Sequence, residues 1–341
     1  DVYKRQQDPK LSVESNLVLV DFVAEDEAGQ PFLDLTEKDL SIIEDGKIRQ
    51  ITFFQLLNYT KGQSSLTSEP LPAPGSLSNP REAPFLFVID SNSLTGAILK
   101  EIRDSVGLFL ESHHGARCRY MLATIGDRLQ VYSSFTGEPE VLAQALESVS
   151  ISKEPLRYSQ LIERITYHFR AQILSQAIEG ALTEGKMFLT EMQQRIVATS
   201  ESLAQLSDYV SVIPGRKNLI LFSEGYPSNS GQTVHDIIKA FNERGSGRTI
   251  VSGQILSAKL GGTGGNTGSR KLEASIDQLN RARISVYGID PRGTETQGLA
   301  GSRDSSLIPT RLLAVRNSED IVAPRDFLER LAEETGGSAF F

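Results

Sequence analysis

Three short apolar runs, each closed by an acidic residue, constrain this chain more than any other feature. They are Phe85-Leu86-Phe87-Val88-Ile89-Asp90, Leu219-Ile220-Leu221-Phe222-Ser223-Glu224 and Ile284-Ser285-Val286-Tyr287-Gly288-Ile289-Asp290. The second sits between Pro214-Gly215-Arg216-Lys217 and Gly225-Tyr226-Pro227. Runs this short, bounded by turn residues, read as fully buried strands rather than helices. In an open parallel sheet the ligand crevice lies outside the carboxyl ends of the strands. Asp90, Ser223, Glu224 and Asp290 are therefore expected on one polar rim.

The segments between these runs carry helical spacing. Ile98, Ile102, Val106, Phe109 and Leu110 share a face, as do Leu142, Ala145, Leu146 and Val149. Further helices are expected at 234–241, 272–282 and 324–334, the last with Pro324 at its start, where first-turn prolines are tolerated. Strands are expected at 119–125, 128–132 and 338–341. Leu161, Ile165, Phe169, Ile173 and Ala177, then Met192, Ile196, Leu203, Leu206 and Val210, mark a helical block too long for one crossover. It is expected to be an insertion, a hairpin projecting from the domain. Alternating strands and helices over 84–341 predict an α/β fold, a doubly wound, mostly parallel sheet.

Residues 9–58 read as β-rich, with Val18, Val20 and Phe22 in one run and a hairpin turn at Asp45-Gly46. So few strands make only a partial, sandwich-like (Ig-like) module. Residues 59–83, rich in Pro and Ser, read as a linker. Residues 1–6 read as translated adapter sequence and are set aside. With no Met at the start, the chain is expected to be a fragment, and the α/β domain to be truncated at its C-terminal end.

Composition excludes several functions. Thirty-five basic against 43 acidic residues give a net charge of −8, the wrong sign for a nucleic-acid surface. No apolar run approaches the roughly 18–20 residues that span a membrane. The single cysteine, Cys118, rules out an intrachain disulfide and reads as a buried thiol. Ser223-Glu224-Gly225 is not a nucleophile elbow, because Leu221 stands where a glycine is needed. His113, His114, His168 and His235 offer no triad base in the right place. The glycine-rich run 261–268 lacks the Lys-Ser/Thr ending of a phosphate loop and reads as surface loop. His113-His114 reads as a helix-end cap, and Arg216-Lys217 as a cap on the preceding helix C-terminus. Glu163, Arg164, Arg170, Gln193, Gln194 and Arg195 read as a solvated helical face, with partner docking as the alternative.

Several motifs together resemble one family. They are Ala28-Gly29-Gln30-Pro31, Leu35-Thr36-Glu37-Lys38-Asp39-Leu40, Glu44-Asp45-Gly46-Lys47, Phe87-Val88-Ile89-Asp90, residues 214–227, Tyr287-Gly288-Ile289-Asp290-Pro291-Arg292-Gly293 and Glu334-Thr335-Gly336-Gly337. In order and spacing they are similar to the acidobacterial-type von Willebrand factor A-related proteins. The resemblance implies a Rossmann-like type A domain with a metal-ion-dependent adhesion site at the carboxyl edge of the sheet. Carried over, the metal ligands would be Asp90, Asn92, Ser93 and Glu224, with Ser91, Ser223, Gly225 and Asp290 on the ligand rim. Leu94 stands where the family has a second serine, and Glu224 where it has aspartate. The second-loop threonine has only Thr136, Ser159 and Thr166 as candidates. The implied cofactor is Mg²⁺ or Ca²⁺. The alternative is a vestigial crevice, with Asp90 and Glu224 bonded to helix N-termini.

The resemblance further implies a non-enzymatic interaction domain that is secreted, periplasmic or held at the cell envelope. A protein partner would dock above Asp90 and Glu224, and no nucleic acid or membrane span is involved. The alternative is a metal-independent scaffold that uses the helical block and the 291–322 loop. A hydrolase is the least favoured reading.

Overall fold

A computed structural model describes residues 22, 24, 26, 32, 34–51, 54, 83–112, 118–151, 153–171, 174–227, 230–244, 260, 267–293, 312 and 324–341. The expected strands around Val18 and Val20, the linker up to 82, His113-His114, the glycine run 261–266 and most of 291–322 lie outside the described residues.

The chain forms two compact units, Asp1–Leu57 and Asn58–Phe341. In the first, β1 (Ile42–Glu44) and β2 (Lys47–Arg49) pair antiparallel, Ile42 opposite Arg49. Asp45 and Gly46 take φ of 50° and 74°. Positive φ at both central residues is what a two-residue hairpin turn needs, and Asp-Gly supplies it at low cost.

The second unit is built on a six-stranded sheet. Its strands are β3 (Ala83–Asp90), β4 (Cys118–Ile125), β5 (Gln130–Thr136), β6 (Lys217–Phe222), β7 (Ile284–Ile289) and β8 (Ser338–Phe340). The spatial order is β5-β4-β3-β6-β7-β8, with only the edge strand β5 antiparallel. Successive side chains on a strand alternate between faces, and two cores result. Leu86 and Val88 of β3, Met121 and Ala123 of β4, and Leu219 and Leu221 of β6 enter one. Phe87 and Ile89, Tyr120 and Leu122, and Phe222 enter the other.

Helices cover both faces. α1 (Leu99–Ser112) and α2 (Pro139–Glu147) close the second core through Ile102, Val106, Leu142 and Leu146. α3 (Tyr158–Ala171), α4 (Leu174–Val210), α5 (Ser230–Arg244), α6 (Thr267–Arg281) and α7 (Arg325–Glu334) close the first. The fold is therefore α/β with a mostly parallel sheet covered on both sides. No helix among the described residues is long and apolar enough to cross a membrane.

The helical block corrects one expectation. α4 does not project. Ile178, Leu182, Leu189, Met192, Leu203, Leu206 and Val210 along its 37 residues are buried in the first core. Periodicity shows that a helix has an apolar face but not what covers it. Arg195 is a second correction: expected on a solvated face, it is 7% exposed.

At the amino end of β6, Lys217 donates from Nζ to the carbonyls of Ile213 and Gly215, at 2.8 and 2.9 Å, just past the end of α4. Arg216 instead reaches Ser285 Oγ and the Gly336 carbonyl, so it ties β6 to its neighbours rather than capping the helix. Cys118 is buried, as expected, and burial pushes its thiol up.

Candidate functional site at the carboxyl edge

β3 and β6 are adjacent and parallel, so Asp90 and Ser223 leave the sheet side by side. The turn after β3 folds tightly back, with the Leu94 N–H donating to the Asp90 carbonyl at 3.2 Å. Asp90 is fully buried. Its Oδ1 accepts from the Asn92 backbone N–H at 3.0 Å and the Tyr226 hydroxyl at 3.1 Å. Its Oδ2 accepts from Ser223 Oγ at 2.9 Å.

The hydroxyls continue the chain. With the Ser223 proton on Asp90, Ser93 donates to Ser223 Oγ at 2.9 Å. The backbone N–H groups of Glu224 and Gly225 donate to Ser93 Oγ and Ser223 Oγ, at 3.1 and 3.0 Å. Thr199 of α4 stands 2.9 Å from the Tyr226 hydroxyl and completes it from the other side. Burial pushes the Asp90 carboxyl above the usual carboxylate range, against the pull of these hydrogen bonds, and pushes Tyr226 well above its ordinary value.

Glu224 leads into a different network. It is 4% exposed, and its carboxylate is clasped by Arg157, at 2.7 Å to Oε2 and 3.0 Å to Oε1, and by Arg292 at 3.3 Å. Arg292 also holds Asp290, Nη2 to Oδ2 at 2.8 Å and Nε to Oδ1 at 2.9 Å. Arg325, in the first turn of α7, reaches the same carboxylate at 3.2 Å, donates to the Gly293 carbonyl and lies over the Phe341 ring. Burial pushes the Glu224 carboxyl up; the two guanidiniums pull against this and Asp290 adds to it.

The expected residues thus gather at one edge, but in two groups. Asp90, Ser93 and Ser223 form a hydroxyl–carboxyl chain, while Glu224 and Asp290 form an arginine-bridged acid pair. Ser91 turns to the Ile125 carbonyl, donating from both N and Oγ, at 2.8 and 2.9 Å. Asn92 is buried with neither amide atom hydrogen-bonded. Gly225 takes φ 77°, and a Cβ there would run into the Pro324 carbonyl. The vestigial-crevice reading expects Asp90 and Glu224 on helix N-termini; among the described residues their partners are instead hydroxyls, the Asn92 N–H and guanidiniums.

Of the second-loop candidates, Thr136 accepts from the Glu138 N–H and Thr166 donates to the Ile162 carbonyl. Ser159 lies in the first turn of α3. The residue that reaches the crevice just ahead of α3 is Arg157. Arg195 arrives from α4, donating from Nη1 to the carbonyls of Asn92 and Glu154, at 3.0 and 2.8 Å, and from Nη2 to Glu191 at 2.7 Å. Sequence reasoning missed Arg157 and Arg325 and set Arg195 on the wrong face. The nearest signals were Arg292 two residues after Asp290 and Arg325 beside the helix-starting Pro324.

The donor set fits a hard divalent ion poorly. Such an ion wants six or more free oxygens at about 2.0–2.6 Å. Glu224 has both oxygens on guanidiniums, Asp90 has three donors, and Leu94 is apolar and buried. A cation placed beside Glu224 would also face two arginines. Among the described residues no three His, Cys, Asp or Glu side chains gather in a metal-holding group.

No family model matches the chain, and no curated protein matches it in sequence. Among solved structures, it is similar to an aerotolerance-related membrane protein from Bacteroides fragilis, at 9% identity over 76% of this chain and 90% of that one, with a TM-score of 0.33. It is similar at 10% identity to BatB, a conserved hypothetical protein from Bacteroides thetaiotaomicron, over 76% and 89% of the two chains, TM-score 0.30. An uncharacterized membrane-spanning protein from Vibrio fischeri matches at 13% identity over 76% and 90%, TM-score 0.21. Likenesses this low carry no function across, and the reading below rests on the chain's own residues.

Proposed function

We propose that this chain is a non-enzymatic interaction domain of the type A kind, and that it binds a protein partner without a metal ion. The observation that carries the reading is the Glu224 carboxylate, buried and clasped by Arg157 and Arg292. In the family it resembles, the corresponding acid serves a cation; here guanidiniums supply the positive charge from within. The buried state of Ser223, with its hydroxyl committed to Asp90 and, among the described residues, no histidine bonded to it, argues against nucleophilic catalysis. His235 is engaged elsewhere, with Asp236 of α5.

Docking falls to the surface beside the crevice. An open groove of about 430 Å³ runs past Glu154, Pro155, Leu156, Gln160, Glu163 and Glu191, between the loop before α3 and the faces of α3 and α4. Its volume lies in the range of ordinary binding clefts. Arg164 and Arg195 line it too, but they pair with Glu184 and Glu191, so it is the charge of Glu154 and Glu163 that favours a partner segment carrying Lys or Arg.

A photo-crosslinking side chain at Gln160, used in the source cells, is expected to capture one protein equally in EDTA and in excess Mg²⁺. Capture lost in EDTA would restore the metal reading, and no capture from Gln160 would sink the groove reading. Calorimetric titration of the purified chain with Mg²⁺, Ca²⁺ and Mn²⁺ is expected to give no saturable heat and no change in melting temperature.

A further inference from the structure

The groove beside Gln160 continues past its charged walls. α3 and α4 run antiparallel along it. Gln160 lines it together with Glu191 and Arg195, and His168, about two turns further along α3, meets Glu184 at 3.4 Å. Residues three, four and seven apart share one helix face. Tyr167 therefore follows Gln160, Glu163 and Arg164 on α3, and Met187 precedes Glu191 on α4. Because the helices are antiparallel, both lie past the same end of the groove. Tyr167 is 67% exposed and Met187 58%, whereas Leu161, Ile165, Leu182, Phe188 and Leu189 of the same helices are in the core. These two side chains thus stand outside the face that the domain itself covers.

The charges around the groove sort into pairs and a remainder. Arg164 pairs with Glu184, Arg195 with Glu191, Arg157 with Glu224 and Lys153 with Asp127. Arg170, one turn past Tyr167, is itself engaged, and Lys186 lies about 100° around α4 from Met187. Glu154 and Glu163 remain, both exposed. The surface is therefore acidic at one end and apolar at the other. Glu163 and Tyr167 are four residues apart on α3, about 6 Å along its axis.

Resting on the docking reading above, we propose that the partner enters as an extended segment with a lysine or arginine and, two residues away, a large aliphatic residue. The cation meets Glu154 and Glu163, and the aliphatic chain covers Tyr167 and Met187. Residues two apart in an extended chain point to the same side about 6.6 Å apart, which matches the separation of the two ends. A segment that is basic alone would leave both apolar side chains in water.

The test uses the full chain and the peptide Ac-Leu-Ser-Lys-Ser-Leu-NH2, which serves either chain direction. Of the three methionines, Met121 and Met192 are in the core and Met187 is exposed, so ¹³C-methyl methionine labelling gives the site its own signal. The Met187 methyl is expected to shift saturably with peptide while that of Met121 stays in place. Replacing both leucines of the peptide by serine is expected to weaken binding about 5–10-fold. Replacing its lysine by serine is expected to weaken binding at low salt and to abolish the salt dependence. Tyr167→Ser is expected to erase the advantage of leucine and keep that of lysine; Glu163→Gln is expected to do the reverse. No saturable shift at Met187, or equal binding with and without leucine, overturns the proposal. With Gln160 capture intact, either result removes only the aliphatic assignment; loss of that capture removes the docking reading as well.

Discussion

Asp90 carries two predictions that separate its charge from its shape. Three donors converge on a carboxyl that burial holds above its usual range. The folded state therefore binds a proton that the unfolded chain, with a value near 3.8, releases earlier. The stability contributed by that proton is full below the unfolded value and is lost as pH rises through the raised folded value. Glu224, also pushed up, adds a slope of the same sign. Asp90→Asn copies the protonated form: its amide can donate to Ser223, whose proton then turns to Ser93. It should unfold in urea near the wild-type midpoint at low pH and show a shallower fall in stability as pH rises. Asp90→Ala strands the Ser223 and Tyr226 hydroxyls and should cost about 1–3 kcal/mol or more at every pH. Glu224→Gln removes the charge that Arg157 and Arg292 share, and breaking a buried pair of this kind costs about 3–5 kcal/mol. A loss under 1 kcal/mol by urea unfolding would mean that those guanidiniums find other partners. The acids of this site were legible in the sequence because each ends an apolar run, and strand ends in a parallel sheet share an edge. Their arginine partners were not. Arg157 meets Glu224 from 67 residues away in the chain, and no local pattern marks such a meeting.

At the scale of elements, the site is a junction between β6 and the start of α7. Gly225 turns the chain out of β6 at φ 77°, and the Pro324 carbonyl lies against its Cα. Any side chain there meets backbone on a helix terminus, which cannot swing aside as a flexible side chain can. Gly225→Ala is therefore expected to lower stability by about 1–3 kcal/mol from the positive φ alone. Pushing Pro324 away should also move Arg325 off Asp290. The expected signature is a drop in melting temperature together with faster amide exchange in the first turn of α7. An unchanged exchange pattern would mean that the turn absorbs the methyl group locally. The strands and most helices could be read from their periods, with ends displaced by a few residues. The packing of α4 could not. Gln193, Gln194 and Arg195 made this helix look half solvated, and a polar stripe of Thr199, Ser200, Ser202 and Ser207 is buried among its apolar residues. Two of them serve the site and the loop beside it, Thr199 on Tyr226 and Ser202 on the Gly126 carbonyl. The function of the stripe thus lies in contacts that a period cannot show.

For the whole molecule, the question is what the sheet needs from the rest of the chain. Both hydrophobic cores, among the described residues, are drawn from Ala83 onward. The first is closed by five helices and the second by two, so each face of the sheet is covered from within Asn58–Phe341. Burial of apolar area is the dominant favourable term in folding, and none of these core residues comes from Asp1–Leu57. The hairpin of that unit exposes Ile43 and Ile48, at 65% and 79%, and its Arg49–Glu44 pair is exposed as well. Exposed pairs of this kind contribute little. A chain beginning at residue 58 should therefore melt within about 1–2 °C of the full-length chain, a shift that corresponds to well under 1 kcal/mol at this size. Scanning calorimetry on both chains checks this directly. A drop of about 5 °C or more would mean that the two cores within Asn58–Phe341 do not by themselves account for the stability of this unit. It would also predict that the same truncation speeds amide exchange in β3 or β7, the strands on which both cores and the arginine-bridged rim depend.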